Sequence, residues 1–272
     1  MMRKIISYSE KQVESVPFYE FTYKQSKNTD IDLLISFPKQ NNPKSCLFFI
    51  HGGGWKSETK ERLKKHALYA SLNGAVGVSI SYRLLSGEER IDVRDGLEDC
   101  LDALEYVRKV CDEKYGDIKY VSIGDSAGGY YATCLGCSNI VKKIRKDFKL
   151  VDYVVDLNGI TDLTKKWNYG IIKKDFDVSD KSVIEKEFSP IYNVSSNDAP
   201  VYIIHGEDDK TVDITESIIY YETLKKFEIN CDIRILKNTT HAFILFDYKH
   251  DNEYVSSILE SIMQFLKTKD LI

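Results

Sequence analysis

The 272-residue chain is predicted to fold as an α/β protein, a mostly parallel sheet of about eight strands with helices on both faces. Three features predict this. Short apolar runs rich in β-branched and aromatic residues recur from residue 18 to residue 236. Helical periodicities lie between most of them, and polar residues with glycine gather where the runs end.

The elements follow in order. FYEFTYK (18 to 24) and DIDLLISF (30 to 37) are separated by a short polar turn and read as an antiparallel hairpin at the sheet edge. CLFFI (46 to 50) is the next strand. The helix after it is expected between Ser57 as N-cap and Gly74 as C-terminal stop. VGVSISY (76 to 82) follows, then an amphipathic helix on which Leu97, Leu101, Leu104 and Val107 repeat at three and four. YVSI (120 to 123), VDYVVDL (151 to 157), VYIIH (201 to 205) and CDIRIL (231 to 236) complete the strands. Val255, Ile258, Leu259, Ile262, Phe265 and Leu266 mark the closing helix. Residues 161 to 200 are too long for a plain connection and read as a short lid insertion over the carboxyl ends of the strands. With no internal repeat and no linker, residues 1 to 272 read as a single domain.

Bulk properties narrow the function classes. Hydrophobic residues at 43% and charged residues at 29% are ordinary globular values. No apolar stretch reaches the roughly 18 residues of a membrane span, so no membrane association is expected. The net charge of −4 comes from 42 acidic and 38 basic residues scattered along the chain, without the basic block that tracks a phosphate backbone, which argues against nucleic acid. The opening MMRKIISYSEKQVESV lacks the apolar region of a secretory signal, so a cytoplasmic location is expected. The six cysteines, at 46, 100, 111, 134, 137 and 231, are expected reduced and buried. Cys134 and Cys137 form a C-x-x-C without the second pair a metal would need, and packing is the expected role.

In an open α/β sheet the ligand crevice lies outside the carboxyl ends of the strands, so the residues at the strand exits carry the chemistry. The exit of YVSI is Gly124-Asp125-Ser126-Ala127-Gly128-Gly129 followed by a helical stretch. A strand turning sharply into a helix strains the serine and crowds its neighbours, and glycines two before and two after relieve the crowding. Ser126 is therefore the candidate nucleophile. The exit of CLFFI is His51-Gly52-Gly53-Gly54-Trp55, and backbone N–H groups of such a loop can stabilise a developing oxyanion. Gly53, Gly54 and Ala127 are the candidate donors. The exit of VYIIH offers Asp208 and Asp209, either of which could orient a base imidazole. The exit of CDIRIL leads to His241. Among the five histidines, His51 belongs to the glycine loop, His205 ends a strand, His66 lies within the first helix and His250 near the last. His241 alone combines a strand exit with the chain order serine, acid, histidine.

HGGGW (51 to 55), SYRL (81 to 84), GDSAGG (124 to 129), SPIYNV (189 to 194), HGEDDKTV (205 to 212) and THAF (240 to 243) occur in one order. With these motifs the chain resembles the α/β-hydrolase superfamily from about residue 18 to its end. Within it, the chain is similar to the HGGG esterases related to hormone-sensitive lipase and to small carboxylesterase and feruloyl-esterase-like hydrolases. The resemblance implies an α/β-hydrolase fold and a serine hydrolase working through an acyl-enzyme without metal or cofactor. The family's acid loop, Gly-x-x-Asp-x-x-Val, matches Gly206, Asp209 and Val212 and so selects Asp209. The chain departs from hormone-sensitive-lipase relatives at Tyr82-Arg83-Leu84-Leu85-Ser86-Gly87, where those carry Tyr-Arg-Leu-Ala-Pro-Glu, and only about 17 residues precede its first strand, where those tend to carry a longer helical cap.

The expected activity is cleavage of a small-molecule carboxylic ester with a short acyl group by Ser126, His241 and Asp209. The same machinery could cleave an amide, as in arylformamidase-like or peptidase relatives. A non-catalytic binding protein on this fold predicts no labelling of Ser126. Trp55, Trp167, Tyr169 and Phe176 are candidates either for a substrate wall or for packing.

Overall fold

The computed structural model describes residues 17–26, 29–86, 91–165 and 178–272. The strands are β1 (Phe18–Gln25), β2 (Asp30–Ser36), β3 (Ser45–Ile50), β4 (Val76–Ile80), β5 (Lys119–Asp125), β6 (Tyr153–Leu157), β7 (Val201–Gly206) and β8 (Cys231–Leu236). They form one eight-stranded sheet in the order β1-β2-β4-β3-β5-β6-β7-β8. The β1–β2 and β2–β4 pairs are antiparallel and the rest parallel. This is the expected mostly parallel architecture.

The helices are a 3-10 turn (Lys60–Leu63), α1 (Lys64–Leu72), α2 (Val93–Tyr115), α3 (Ala127–Gly136), α4 (Ser138–Ile144), α5 (Val178–Glu187), α6 (Pro190–Asn193), α7 (Thr215–Lys226) and α8 (Asn252–Thr268). The period-two alternation of a strand explains why both sheet faces need a helical layer. On β3, Cys46, Phe48 and Ile50 enter a core built with α2, α3 and α7 residues such as Leu97, Leu135 and Tyr220. Leu47 and Phe49 point the other way, into a core shared with Ala67 of α1 and Ile258 and Ile262 of α8. All six cysteines are buried and none is in a disulfide.

The start of the first helical segment differs from expectation. Thr59, in extended backbone, accepts from Glu61 N–H and caps the 3-10 turn. Ser57 instead donates its hydroxyl to Gly53 O at 3.2 Å. The cause lies in the turn itself, which takes Trp55 and Glu58 through positive φ (61° and 80°) and so delays the helix. Gly74, at φ 93°, occupies the left-handed position after α1.

The strand order places the site. β4 and β5 lie on opposite sides of β3, so the order of the chain reverses between β3 and β5, and a crevice opens outside the carboxyl ends of those two strands. The exits that meet there are His51-Gly52-Gly53-Gly54 and Asp125-Ser126.

Candidate active site

Ser126 sits between β5 and α3 at φ 55° and ψ −119°, a strained conformation of the kind held in place at functional turns. Its neighbours have no room to be larger. A Cβ on Gly124 would collide with the Gly128 carbonyl, and one on Gly128 with the Ile50 carbonyl. The backbone is pinned by Ser126 N–H donating to Leu157 O at 2.9 Å. The hydroxyl is thereby held out from the sheet edge at the start of α3, whose first residue is Ala127.

The structure brings three of the predicted side chains into one hydrogen-bonded chain. Ser126 Oγ lies 3.1 Å from His241 Nε2, and His241 Nδ1 lies 2.6 Å from Asp209 Oδ2. With Nδ1–H donating to the carboxylate, Nε2 is left as the acceptor for the serine hydroxyl. Asp209 is itself fixed. Its Oδ1 accepts from Thr211 N–H at 2.8 Å and Val212 N–H at 3.0 Å. Burial would raise the Asp209 carboxyl, but hydrogen bonds from His205, His241 and the backbone outweigh it and hold the group well below the ordinary range. Asp208, the other sequence candidate, is exposed.

Gly53 and Gly54 stand beside Ser126 in the same cleft, at φ 102° and 59°. Gly52 N–H does not face the cleft chemistry, because it donates to Asp125 Oδ1 at 2.9 Å. Asp125 therefore ties the glycine loop to the serine turn. Burial pushes its carboxyl up to about 6. Tyr82 braces the loop from the other side, donating its hydroxyl to His51 O at 2.8 Å and stacking on the His51 ring at 4.4 Å.

The remaining histidines are engaged elsewhere. Burial lowers both His51 and His66 to about 4, and His66 Nε2–H donates to Ile244 O at 2.7 Å. His250 meets Thr240 Oγ1 at 3.2 Å. His205, by its place in the sequence only the end of a strand, is a supporting residue of the site. Its Nε2 lies 3.0 Å from Val212 O and 3.3 Å from Asp209 Oδ2, and its Nδ1 lies 2.7 Å from Ser217 Oγ. The usable signal was its position four residues before Asp209 across a tight turn.

The cleft holds about 310 Å³ and is lined by residues from four exits, among them Gly53, Ser126, Thr211 and His241. Trp55 is not in its wall. The Trp55 side chain is fully buried and packs edge-on against Tyr130 at 5.6 Å. Trp167, Tyr169 and Phe176 lie outside the described residues. Among the described residues, no group of three or more His, Cys, Asp or Glu side chains is arranged to hold a metal. None of their helices is long and apolar enough to cross a membrane.

Beneath the serine turn, Asp156 at the end of β6 is fully buried. Burial pushes its carboxyl from 3.8 up to about 7, against the weaker downward pull of His205 and Gly159 N–H. The folded protein thus keeps a proton that the unfolded chain releases. This group's stabilising contribution is complete below pH 3.8 and is lost as pH rises through about 7. Asp156→Asn removes the titration. Its unfolding free energy relative to wild type is expected to improve by up to roughly 4 kcal/mol between about pH 4 and about pH 8. A pH-independent difference in denaturant melts would refute the assignment.

The fold is that of the α/β-hydrolase class, and the proteins it matches make the chain a carboxylic ester hydrolase. The chain belongs to the BD-FAE family, whose sequence model matches residues 32–224. It is similar to the acetyl esterase of Salmonella paratyphi B, with 24% identity over 235 residues, 76% of this chain and 68% of that protein. The acetyl esterase of Salmonella choleraesuis matches at 25% over 228 residues, with the same shares covered. Among solved structures, Thermogutta terrifontis esterase 2 phosphorylated by paraoxon superposes with a TM-score of 0.79 at 22% identity, covering 94% of this chain and 95% of that one. The butyrate-bound structure of the same esterase gives 0.78 at 22%, covering 96% of each. At that identity the structural likeness is one of fold.

Proposed function

We propose that the protein hydrolyses small-molecule carboxylic esters of short acyl groups through an acyl-enzyme on Ser126. The observation that carries this is the hydrogen-bonded chain from Ser126 Oγ through His241 to Asp209, with links of 3.1 and 2.6 Å. His241 Nε2 takes the Ser126 proton as Oγ bonds to the ester carbonyl carbon. The negative oxygen of the tetrahedral intermediate accepts from Gly53, Gly54 and Ala127 N–H groups. As the intermediate collapses, the C–O bond to the alcohol breaks and His241 returns the proton to the leaving alcohol. A water then attacks the acyl-enzyme, gives its proton to His241 and releases the acid, and Ser126 recovers its hydrogen. Asp209 keeps the imidazole in the required tautomer throughout and stabilises its charged form.

Short acyl groups are favoured by the cleft, whose volume of about 310 Å³ is at the small end for ligand pockets. The acetyl esterase relatives and the butyrate-bound esterase 2 support the same choice. The test pairs labelling with turnover. Paraoxon is expected to inactivate the protein with one adduct, placed by peptide mass spectrometry on Ser126. The kcat/KM of para-nitrophenyl esters is expected to fall as the acyl chain lengthens beyond butyrate. An adduct elsewhere in an inactivated protein, or faster turnover of the matching anilides than of the esters, would overturn the reading.

A further inference from the structure

Arg62 lines the cleft together with Ser126 and His241, and its bonding differs from that of other arginines in the fold. Arg108 donates to the carbonyl oxygens of Lys149 and Leu150 at 2.6 and 2.8 Å. Arg83 grips the buried Asp99 carboxylate with Nε and a terminal nitrogen, each at 2.8 Å. The Nε of Arg62 is buried without a hydrogen-bond partner, as is that of Arg108, but among the described residues Arg62 has no hydrogen-bonded carbonyl or carboxylate of the kind that holds the terminal nitrogens of Arg108 and Arg83. Among the described residues its one ion pair is with Glu58, whose Oε2 lies 3.8 Å from Nε, beyond hydrogen-bonding distance.

What holds the guanidinium is a ring: its central carbon lies 5.1 Å from the ring centroid of Tyr248, another wall residue. A planar cation seated over an aromatic ring, with donors still unspent at the mouth of a cleft, is preorganised for a planar anion. Lys249 lines the same mouth, its ammonium 5.5 Å from the Tyr248 ring, so among the described lining residues two cations, Arg62 and Lys249, stand with the carboxylates of Glu58 and the buried Asp125. The Arg62 charge also reaches the interior of the site. Burial raises the Asp125 carboxyl, and Arg62 is among the charges that draw it back down.

We propose that Arg62, with Lys249 beside it, forms a subsite for a carboxylate carried by the ester substrate. The subsite rests on the reading of Ser126 as the attacking group, since it supposes that the ester carbonyl lies at that hydroxyl. A carboxylate there accepts from the guanidinium in a charge-assisted pair. The anion is on either the acyl or the alcohol half of the ester, and two substrate pairs separate these.

Mono-para-nitrophenyl adipate against para-nitrophenyl hexanoate places the charge on the acyl side. Meta-acetoxybenzoate against phenyl acetate places it on the alcohol side. In each pair the anionic-to-neutral ratio of kcat/KM is compared between wild type and Arg62→Gln, which cancels intrinsic reactivity. For the half of the ester that carries the anion, the ratio is expected to drop about tenfold in Arg62→Gln. Arg62→Lys is expected to retain part of it, and high salt to reduce it in the wild type.

Unchanged ratios for both pairs in Arg62→Gln, or wild-type ratios that ignore salt, would overturn the subsite. The salt series needs only wild-type protein and decides the matter even where a variant folds poorly. Ser126→Ala run on all four esters keeps the two readings apart. Loss of turnover in that variant with charge-blind ratios sinks the subsite alone, whereas retained turnover sinks the serine assignment beneath it.

Discussion

Ser126→Ala is expected to lower kcat for para-nitrophenyl acetate by about 10⁴-fold or more while leaving the protein folded. The size follows from what the hydroxyl does in the proposed reaction. Without Oγ no acyl-enzyme forms, and only the glycine loop and the cleft remain to assist direct attack by water. The fold should tolerate the change because the Ser126 side chain's hydrogen bond is to His241, whereas the turn is held by the backbone link to Leu157 and by glycine packing. A thermal melt at or slightly above that of wild type is expected, since alanine keeps the backbone and gives up only a site hydroxyl. The pre-steady-state burst of para-nitrophenol and the paraoxon adduct should both vanish. A variant that keeps a tenth or more of the activity, by the order of magnitude that loss of a nucleophile produces, would exclude Ser126 as the attacking group.

Much of the fold and the serine turn is legible in the sequence because it is local. CLFFI is an unbroken apolar run too short for a helix, as a strand buried on both faces requires, and the structure sends Cys46, Phe48 and Ile50 to one core and Leu47 and Phe49 to the other. The serine turn is equally local, since glycines at 124 and 128 are required by backbone atoms a few residues away or on the neighbouring strand. The helix start was misplaced at Ser57 because cap chemistry at Ser57 and Thr59 is alike, and only the positive φ of Trp55 and Glu58 decides between them.

What stayed hidden depends on contacts between distant segments. Trp55 follows the glycine loop directly, yet its ring turns inward onto Tyr130, 75 residues away in sequence, a partner no spacing rule supplies. His205 becomes a site residue only when β7, the acid loop and Ser217 of α7 close around it. Arg62 looks in sequence like one more charge on a solvated helix face, and its cleft position arises from Tyr248 in the loop after His241. The adjacent Asp208 and Asp209 could not be separated by residue type. A family pattern favoured Asp209, and the geometry adds a physical reason, the two backbone donors at Thr211 and Val212 that turn this carboxylate inward.

That geometry makes Asp209→Asn the second large expected effect. The carboxylate accepts on both sides: Oδ1 from two backbone N–H groups, Oδ2 from His241 and, at 3.3 Å, from the His205 side. An asparagine can satisfy only one side. With its carbonyl oxygen toward Thr211 and Val212, its amide N–H groups point at His241 Nδ1, which must then accept, and the ring proton moves to Nε2. Nε2 then donates toward Ser126 Oγ and cannot take the serine proton. The reversed amide would face two backbone N–H groups with its own donors, which costs more. The expected loss in kcat is about 10⁴-fold, the scale seen when a base histidine is trapped in the wrong tautomer. Asp208→Asn is the internal control. Its side chain is exposed, and its kcat is expected to stay within about twofold of wild type, as surface changes generally do. Comparing both variants on one ester, after thermal melts establish that each is folded, decides between neighbouring carboxylates. A large loss in Asp208→Asn with near-normal Asp209→Asn would reassign the orienting role and remove the tautomer argument with it.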